Sequence, residues 1–259
     1  MGLVDFAKFV DELATVAGEA IRPFFRTALG IDNKDGAGRF DPVTEADRAA
    51  ETAMRALIRR TFPEHGIIGE EFGVERADAP YVWVLDPIDG TKSFIAGMPA
   101  WGTLIGLLKE GTPVYGMMSQ PFIGERFSGD GASTQYRGPT GARRLAVRNC
   151  AALKDALLFT TSPLLMSERE RALFRKVEKA VQLSRYGGDC YAYCMVAAGH
   201  IDLVIEAGLN PYDILPLIPI VEGAGGIITT WKGESATQGG RIIAAGDKRV
   251  HEQALKLLA

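Results

Sequence analysis

Residues 81–91 read YVWVLDPIDGT. Tyr81–Leu85 is a short apolar run rich in β-branched and aromatic residues, and Pro87 and Gly90 follow it, the pattern of a buried strand that ends in a turn. Two acids, Asp86 and Asp89, stand where that strand is expected to stop. Carboxylates a few ångströms apart raise one another's pKa unless a cation lies between them. An oxygen-only set, with the Ile88 carbonyl exposed by the turn, suits a hard cation such as Mg²⁺, which keeps several waters and binds substrate phosphate. Gly90 and Thr91 lead into TKSFIAG, a candidate helix start whose free N–H groups beside a glycine favour an anion. Carboxylates for a metal next to a cradle for phosphate are the equipment of phosphoryl transfer.

Three more acidic features surround this segment. Gly69-Glu70-Glu71 follows the apolar pair Ile67-Ile68. Asp41-Pro-Val-Thr-Glu-Ala-Asp47 opens a helical pattern, with Thr44 suited to the N-cap and Asp47 three residues later to a capping box. Asp213 stands at a helix start in NPYDILPL. Each alone reads as a solvated acid or a partner of a helix end. Together they supply the dispersed ligands that a multi-ion site needs.

The rest of the chain alternates in type. Phe6, Phe9, Val10, Leu13, Ala17 and Ile21 recur at helical spacing, and Ala46, Ala50, Met54, Leu57 and Ile58 line a second helix. Residues 29–43 are polar and Gly-rich and read as a mobile loop or hairpin, a candidate lid carrying Lys34. Strands are predicted at 66–68, 81–85, 103–108 and 114–118, and hairpins across 124–144. Beyond them come a strand at 156–160, helix 167–180, strand 183–186, helix 190–199, strand 201–206, helix 211–224, strands 226–230 and 241–245, and helix 247–258. Residues 1–140 thus form an α+β half carrying most of the candidate metal ligands, and residues 141–259 an α/β half.

Composition bounds the function. The 259 residues are 47% hydrophobic and 24% charged, with a formal net charge of −3. That is the composition of a globular protein, with no basic excess to neutralise a nucleic acid. No apolar run is long enough for a membrane span, and the N-terminus lacks the basic and apolar regions of a signal peptide, so a cytoplasmic protein is expected. Cys150, Cys190 and Cys194 are too few and unevenly spaced for a disulfide framework and read as small buried residues. His65, His200 and His251 have no ligand spacing and are assigned to surface or turn positions. No P-loop or G-x-S-x-G is present, and Gly223-Ala-Gly-Gly226 reads as a helix stop.

The ordered set GEE, LDPIDGTKSF and PYDILPLIPIVEGAGG resembles the inositol monophosphatase family of magnesium-dependent phosphatases, over about residues 5–250. The resemblance implies a layered αβαβα sandwich of the inositol monophosphatase/fructose-1,6-bisphosphatase type, homodimeric, with two or three Mg²⁺ ions per active site. Carried over by motif, Glu70, Asp86, Asp89, Asp213 and the carbonyl of Ile88 would be metal ligands. Thr91, with Glu70 and Asp47, would orient and deprotonate the attacking water, and the N–H groups of Gly90 and Thr91 would hold phosphate oxygens. Many relatives place Trp before the late acid where this chain has Tyr212.

Substrate choice falls to the second half. Gly187-Gly188-Asp189-Cys190-Tyr191-Ala192-Tyr193 joins a short strand to a helix, and Glu206 ends a strand seven residues before Asp213. This run is most similar to the histidinol-phosphate phosphatase branch of the family. Histidinol phosphate carries an ammonium and an imidazole, and Asp189 and Glu206 would give these donors charge-assisted hydrogen bonds. The expected partner is therefore a small phosphate ester, and neither nucleic acid nor membrane. Alternatives are an inositol-1-monophosphatase or broad sugar-phosphate phosphatase and, more remotely, a non-catalytic metal-binding regulatory protein. A haloacid-dehalogenase-type nucleophile would need D-x-D, whereas the spacing here is D-x-x-D.

Overall fold

The computed structural model describes residues 6–27, 31–33 and 42–259. The elements, in chain order, are α1 (Phe6–Ile21), β1 (Ile31–Asn33), β2 (Pro42–Thr44), α2 (Glu45–Thr61), β3 (Gly66–Gly69), β4 (Gly73–Glu75), β5 (Tyr81–Asp89), α3 (Thr91–Ile95), β6 (Gly102–Lys109), β7 (Thr112–Gln120), β8 (Glu125–Gly129), β9 (Thr134–Gly138) and β10 (Gly141–Arg144). Then follow β11 (Leu157–Thr160), α4 (Glu168–Glu178), β12 (Leu183–Tyr186), α5 (Asp189–Ala197), β13 (Leu203–Leu209), α6 (Pro211–Ile214), α7 (Ile218–Gly223), β14 (Ile227–Thr230), β15 (Gly240–Ala245) and α8 (Lys248–Leu258).

Two large sheets organise the chain. The first has eight strands in the order β10-β9-β8-β7-β6-β5-β3-β4, antiparallel except for the parallel pair β3–β5. The second has five, in the order β12-β11-β13-β15-β14. The period of two along each strand decides which layer each residue serves. On β5, Trp83 and Leu85 pack with Phe9, Leu13, Met54 and Ile58 of α1 and α2. Val82 and Val84 face the other way, into a core shared with Cys194 of α5 and Val221 of α7. That middle core reaches the second sheet through Val204, Ile242 and Ala244, while Ile205, Ile243 and Ala245 face α4 and α8 through Phe174 and Val250. The result is an αβαβα sandwich, as the resemblance implied. Each fully buried Leu or Ile in these layers stabilises by roughly 1.5–3 kcal/mol.

Several elements depart from the sequence reading. The helix expected over 211–224 is two short helices, because Pro216 has no N–H to give and interrupts the ladder. The break presses on the first sheet where Gly106 of β6 and Gly116 of β7 are register partners. A Cβ on Gly116 would lie 1.8 Å from the Pro216 carbonyl oxygen, so only glycine admits this approach. Strand β5 does not stop at Leu85 but runs through Pro87 to Asp89. Strand β4, short and solvent-facing, had no alternating pattern to betray it. Within the polar segment 29–43, β1 and β2 pair antiparallel, and Lys34 lies outside the described residues. His251 is buried and within 2.8 Å of Thr229 Oγ1, contrary to a surface assignment. All three cysteines are free and buried. Among the described residues no helix is long and apolar enough to cross a membrane.

Candidate active site

A bulge in β5 builds the centre of the site. Asp86 pairs with Leu104 and Asp89 with Gly102, so β5 carries one residue more than β6 between them. In a regular strand residues three apart face opposite sides, and the extra residue returns both carboxylates to the same side. The Thr103 hydroxyl pins the bulge by donating to the Pro87 carbonyl at 2.8 Å.

Strand β3 sets Glu70 alongside. Gly69 pairs with Leu85 in parallel register, and the Glu70 N–H donates to the Leu85 carbonyl at 3.1 Å. Glu70 thereby reaches the Asp86 carboxyl and shares a hydrogen bond with it. Helix α2 holds the loop from behind. Buried Glu51 accepts from the N–H groups of Glu71 (2.7 Å) and Phe72 (3.2 Å) and pairs with buried Arg55 at 2.7 Å. A Cβ on Gly69 would fall 2.1 Å from Glu51 Oε1, so glycine there and the acid behind it go together. Sequence reasoning missed this pair; its only signal is that Glu51 and Arg55, four apart, lie beside Ala50 and Met54 of the apolar stripe.

Asp213 arrives from the second half. It is the third residue of α6, and one carboxylate oxygen, Oδ2, caps that helix by accepting from the Asn210 N–H at 2.7 Å. Asp86, Asp89 and Asp213 each offer an oxygen within 4.8 Å of the others. Burial, and then the charges of Glu70, Asp89 and Asp213, push the Asp86 carboxyl well above its usual range. Burial, with Asp189 as the largest charge, raises Asp89 to about 7. Asp86 Oδ1 is buried with no hydrogen-bond partner. Such repulsion and an orphaned oxygen make an unfavourable arrangement for anions and a fitting one for an oxygen-seeking divalent cation. The donor set therefore suits the ion that the sequence implied.

The adjoining loop carries the remaining candidates. Gly90 adopts φ +85°, and the Thr91 hydroxyl donates to the Ile88 carbonyl at 3.1 Å. A Cβ on Gly90 would come within 3.0 Å of Asp189, which sits directly over the loop. Asp189 itself has φ +42° at the start of α5, and its Oδ2 accepts from Ser93 Oγ at 2.6 Å, a contact that the sequence alone did not disclose. Burial raises the Asp189 carboxyl. Glu206 does not end its strand; it lies within β13, before a second bulge that carries the strand on to Leu209. Its carboxylate accepts from Thr161 N (2.6 Å), Thr161 Oγ1 (3.0 Å) and Thr160 Oγ1 (3.2 Å), yet burial lifts it to about 8. Asp47 is buried at the first turn of α2, where Oδ2 accepts from Thr44 N (2.8 Å) and Oγ1 (2.6 Å), the capping box read from the sequence.

Comparison with known proteins bears on this arrangement directly. The family model described as the inositol monophosphatase family matches residues 3–259. The chain belongs to the inositol monophosphatase family. It is 45% identical to the bifunctional phosphatase IMPL2, chloroplastic, of Arabidopsis thaliana, over 98% of this chain and 75% of that protein. It is 40% identical to a histidinol-phosphatase of Streptomyces coelicolor, over 98% of this chain and 97% of that one. Among solved structures, an inositol monophosphatase from Zymomonas mobilis superposes with a TM-score of 0.87 at 44% identity, covering 98% of this chain and 97% of that chain. As an inositol monophosphatase family member the chain is a phosphatase, a phosphoric monoester hydrolase. The family is metal-dependent, and the acid cluster of Asp86, Asp89 and Asp213 is where this member can hold its ion.

Proposed function

We propose that this phosphatase hydrolyses histidinol phosphate to histidinol and inorganic phosphate, with Mg²⁺ as its ion, as a homodimer in the cytoplasm. The observation that carries the substrate is the pairing of Asp189 and Glu206. Glu206 is buried and Asp189 half-buried, the Asp189 charge bears on Glu206, and Asp189 packs against the Gly90 loop. A neutral polyol leaves such acids uncompensated, whereas an ammonium and an imidazole N–H pair with them, and hydrogen bonds to charged groups are each worth about 1.5–3 kcal/mol. The 40% identity to the Streptomyces histidinol-phosphatase supports the same reading.

In this reading Glu70, Asp86, Asp89, Asp213 and the Ile88 carbonyl hold the ions. Bound magnesium supplies a lowered pKa for water and charge neutralisation on phosphate. The N–H groups of Gly90 and Thr91 orient the phosphate oxygens. The Thr91 hydroxyl and the Glu70 carboxylate align the attacking water, and Glu70 receives its proton, with Asp47 in support. Attack is in line on phosphorus; the P–O bond to the alcohol breaks and the departing alkoxide takes a proton from water, with no covalent intermediate on the protein. Asp189 and Glu206 hold the amine and imidazole.

A second reading, an inositol-1-phosphatase or broad sugar-phosphate phosphatase, draws on the likeness to the Zymomonas inositol monophosphatase. Purified protein with Mg²⁺, assayed side by side on histidinol phosphate and inositol 1-phosphate for released phosphate, separates them. Higher kcat/KM on histidinol phosphate is expected; a preference for inositol 1-phosphate overturns the assignment.

A further inference from the structure

Tyr193 lies on α5, one helical turn after Asp189 and three residues after Cys190, whose N–H donates to Asp89 at 2.7 Å. Residues three and four apart share a helix face, so Tyr193 belongs to the side of α5 that faces the acids. It is 2% exposed, and its hydroxyl is buried without a hydrogen-bond partner. The acids whose charge bears on that hydroxyl are, in order, Glu206, Asp89 and Asp213. Glu206 already accepts three hydrogen bonds from Thr160 and Thr161. A tyrosine hydroxyl is normally partnered when buried, and a phenylalanine would fill the same space without an orphaned group.

We infer that Tyr193 is a positioning residue for the cation site, its buried hydroxyl donating to the Asp89–Asp213 side of the cluster when an ion is bound there. Carboxylates that bind an ion are held in place by outer hydrogen bonds, and those outer partners set affinity. The inference rests on the reading of the acid cluster as a cation site.

The test compares Tyr193→Phe with the unsubstituted protein in two measurements free of substrate. In calorimetric titration with Mg²⁺, Tyr193→Phe is expected to bind about 10- to 100-fold more weakly. In thermal unfolding with chelator, Tyr193→Phe is expected to have an equal or higher Tm, because the orphaned hydroxyl is gone, and a smaller rise in Tm on adding Mg²⁺. A merely structural tyrosine would lower the Tm in chelator and leave the Mg²⁺ affinity unchanged. Equal Mg²⁺ affinities for the two proteins overturn the inference alone, and so does a variant altered only in KM for substrate. Absence of Mg²⁺ binding by the unsubstituted protein overturns the site reading and the inference together.

Discussion

The N–H of Cys190 donates to Oδ2 of Asp89 at 2.7 Å, across 101 residues of chain. The first turn of α5, which begins with the candidate substrate acid Asp189, is thereby fastened to a carboxylate of the candidate cation site. Displacement of one is transmitted to the other, so variants on this contact have a defined direction.

Asp86→Asn removes an acid whose ionised form is strongly disfavoured by burial and by its neighbours. Activity should fall by at least about a hundredfold, since charge stabilisation by the ion is worth several kcal/mol. The Tm in chelator should rise at pH 8. Steady-state kinetics and thermal unfolding check the two halves of this prediction, which must move in opposite directions.

In chelator, stability should fall as pH rises. Asp89 moves from an ordinary 3.8 to about 7, and Glu206 from 4.5 to about 8. Because both values are raised on folding, the folded ion-free protein binds more protons than the unfolded chain between these limits. The stabilisation is complete below the ordinary values and is lost as pH rises through about 7 and then about 8. The slope is at most about 1.4 kcal/mol per pH unit for each group. Urea unfolding from pH 5 to 9 measures it, and saturating Mg²⁺ should flatten the profile by offsetting the carboxylate charge. A flat profile in chelator would contradict the assigned shifts.

Asp189→Asn and Glu206→Gln should each lower kcat/KM for histidinol phosphate by about 10- to 100-fold, the worth of one hydrogen bond to a charged group. Turnover of p-nitrophenyl phosphate, which has no cationic group, should change much less. Equal losses on the two esters would remove both acids from substrate recognition.

Glu51→Gln should destabilise the protein by up to about 3 kcal/mol, because buried Arg55 loses the carboxylate it meets at 2.7 Å and keeps only Glu75 at 3.6 Å. The same change loosens the N–H groups of Glu71 and Phe72, hence the placement of Glu70. Denaturant unfolding reads the first effect, and a fall in kcat larger than any rise in KM reads the second.

Legibility from sequence followed the kind of signal each element carries. The strand at 81–85 announced itself as a compact apolar run, but its passage through Pro87 did not. Proline ordinarily closes a strand, and the bulge that accommodates it depends on Thr103, a residue on the neighbouring strand. The apolar period across 211–224 continues straight through Pro216 and masks the break that its missing N–H makes, and only the facing glycines of β6 and β7 show how that break is accommodated. The order of layers was not readable from periodicity and came from the family resemblance. At the site, the acids stood out because several occur beside turn residues. Glu51, Arg55 and Ser93 were silent, since a charged pair four apart on a helix looks like any solvated pair until burial is known.

The cluster draws Asp86 and Asp89 from the eight-stranded sheet and Asp213 from the helix that follows β13 of the five-stranded one. A ribosome-bound chain that has emerged only as far as β10 therefore owns two of those acids and no completed coordination shell. An ion that needs all three acids would be captured only after the late segment docks, and its occupancy would then report finished assembly.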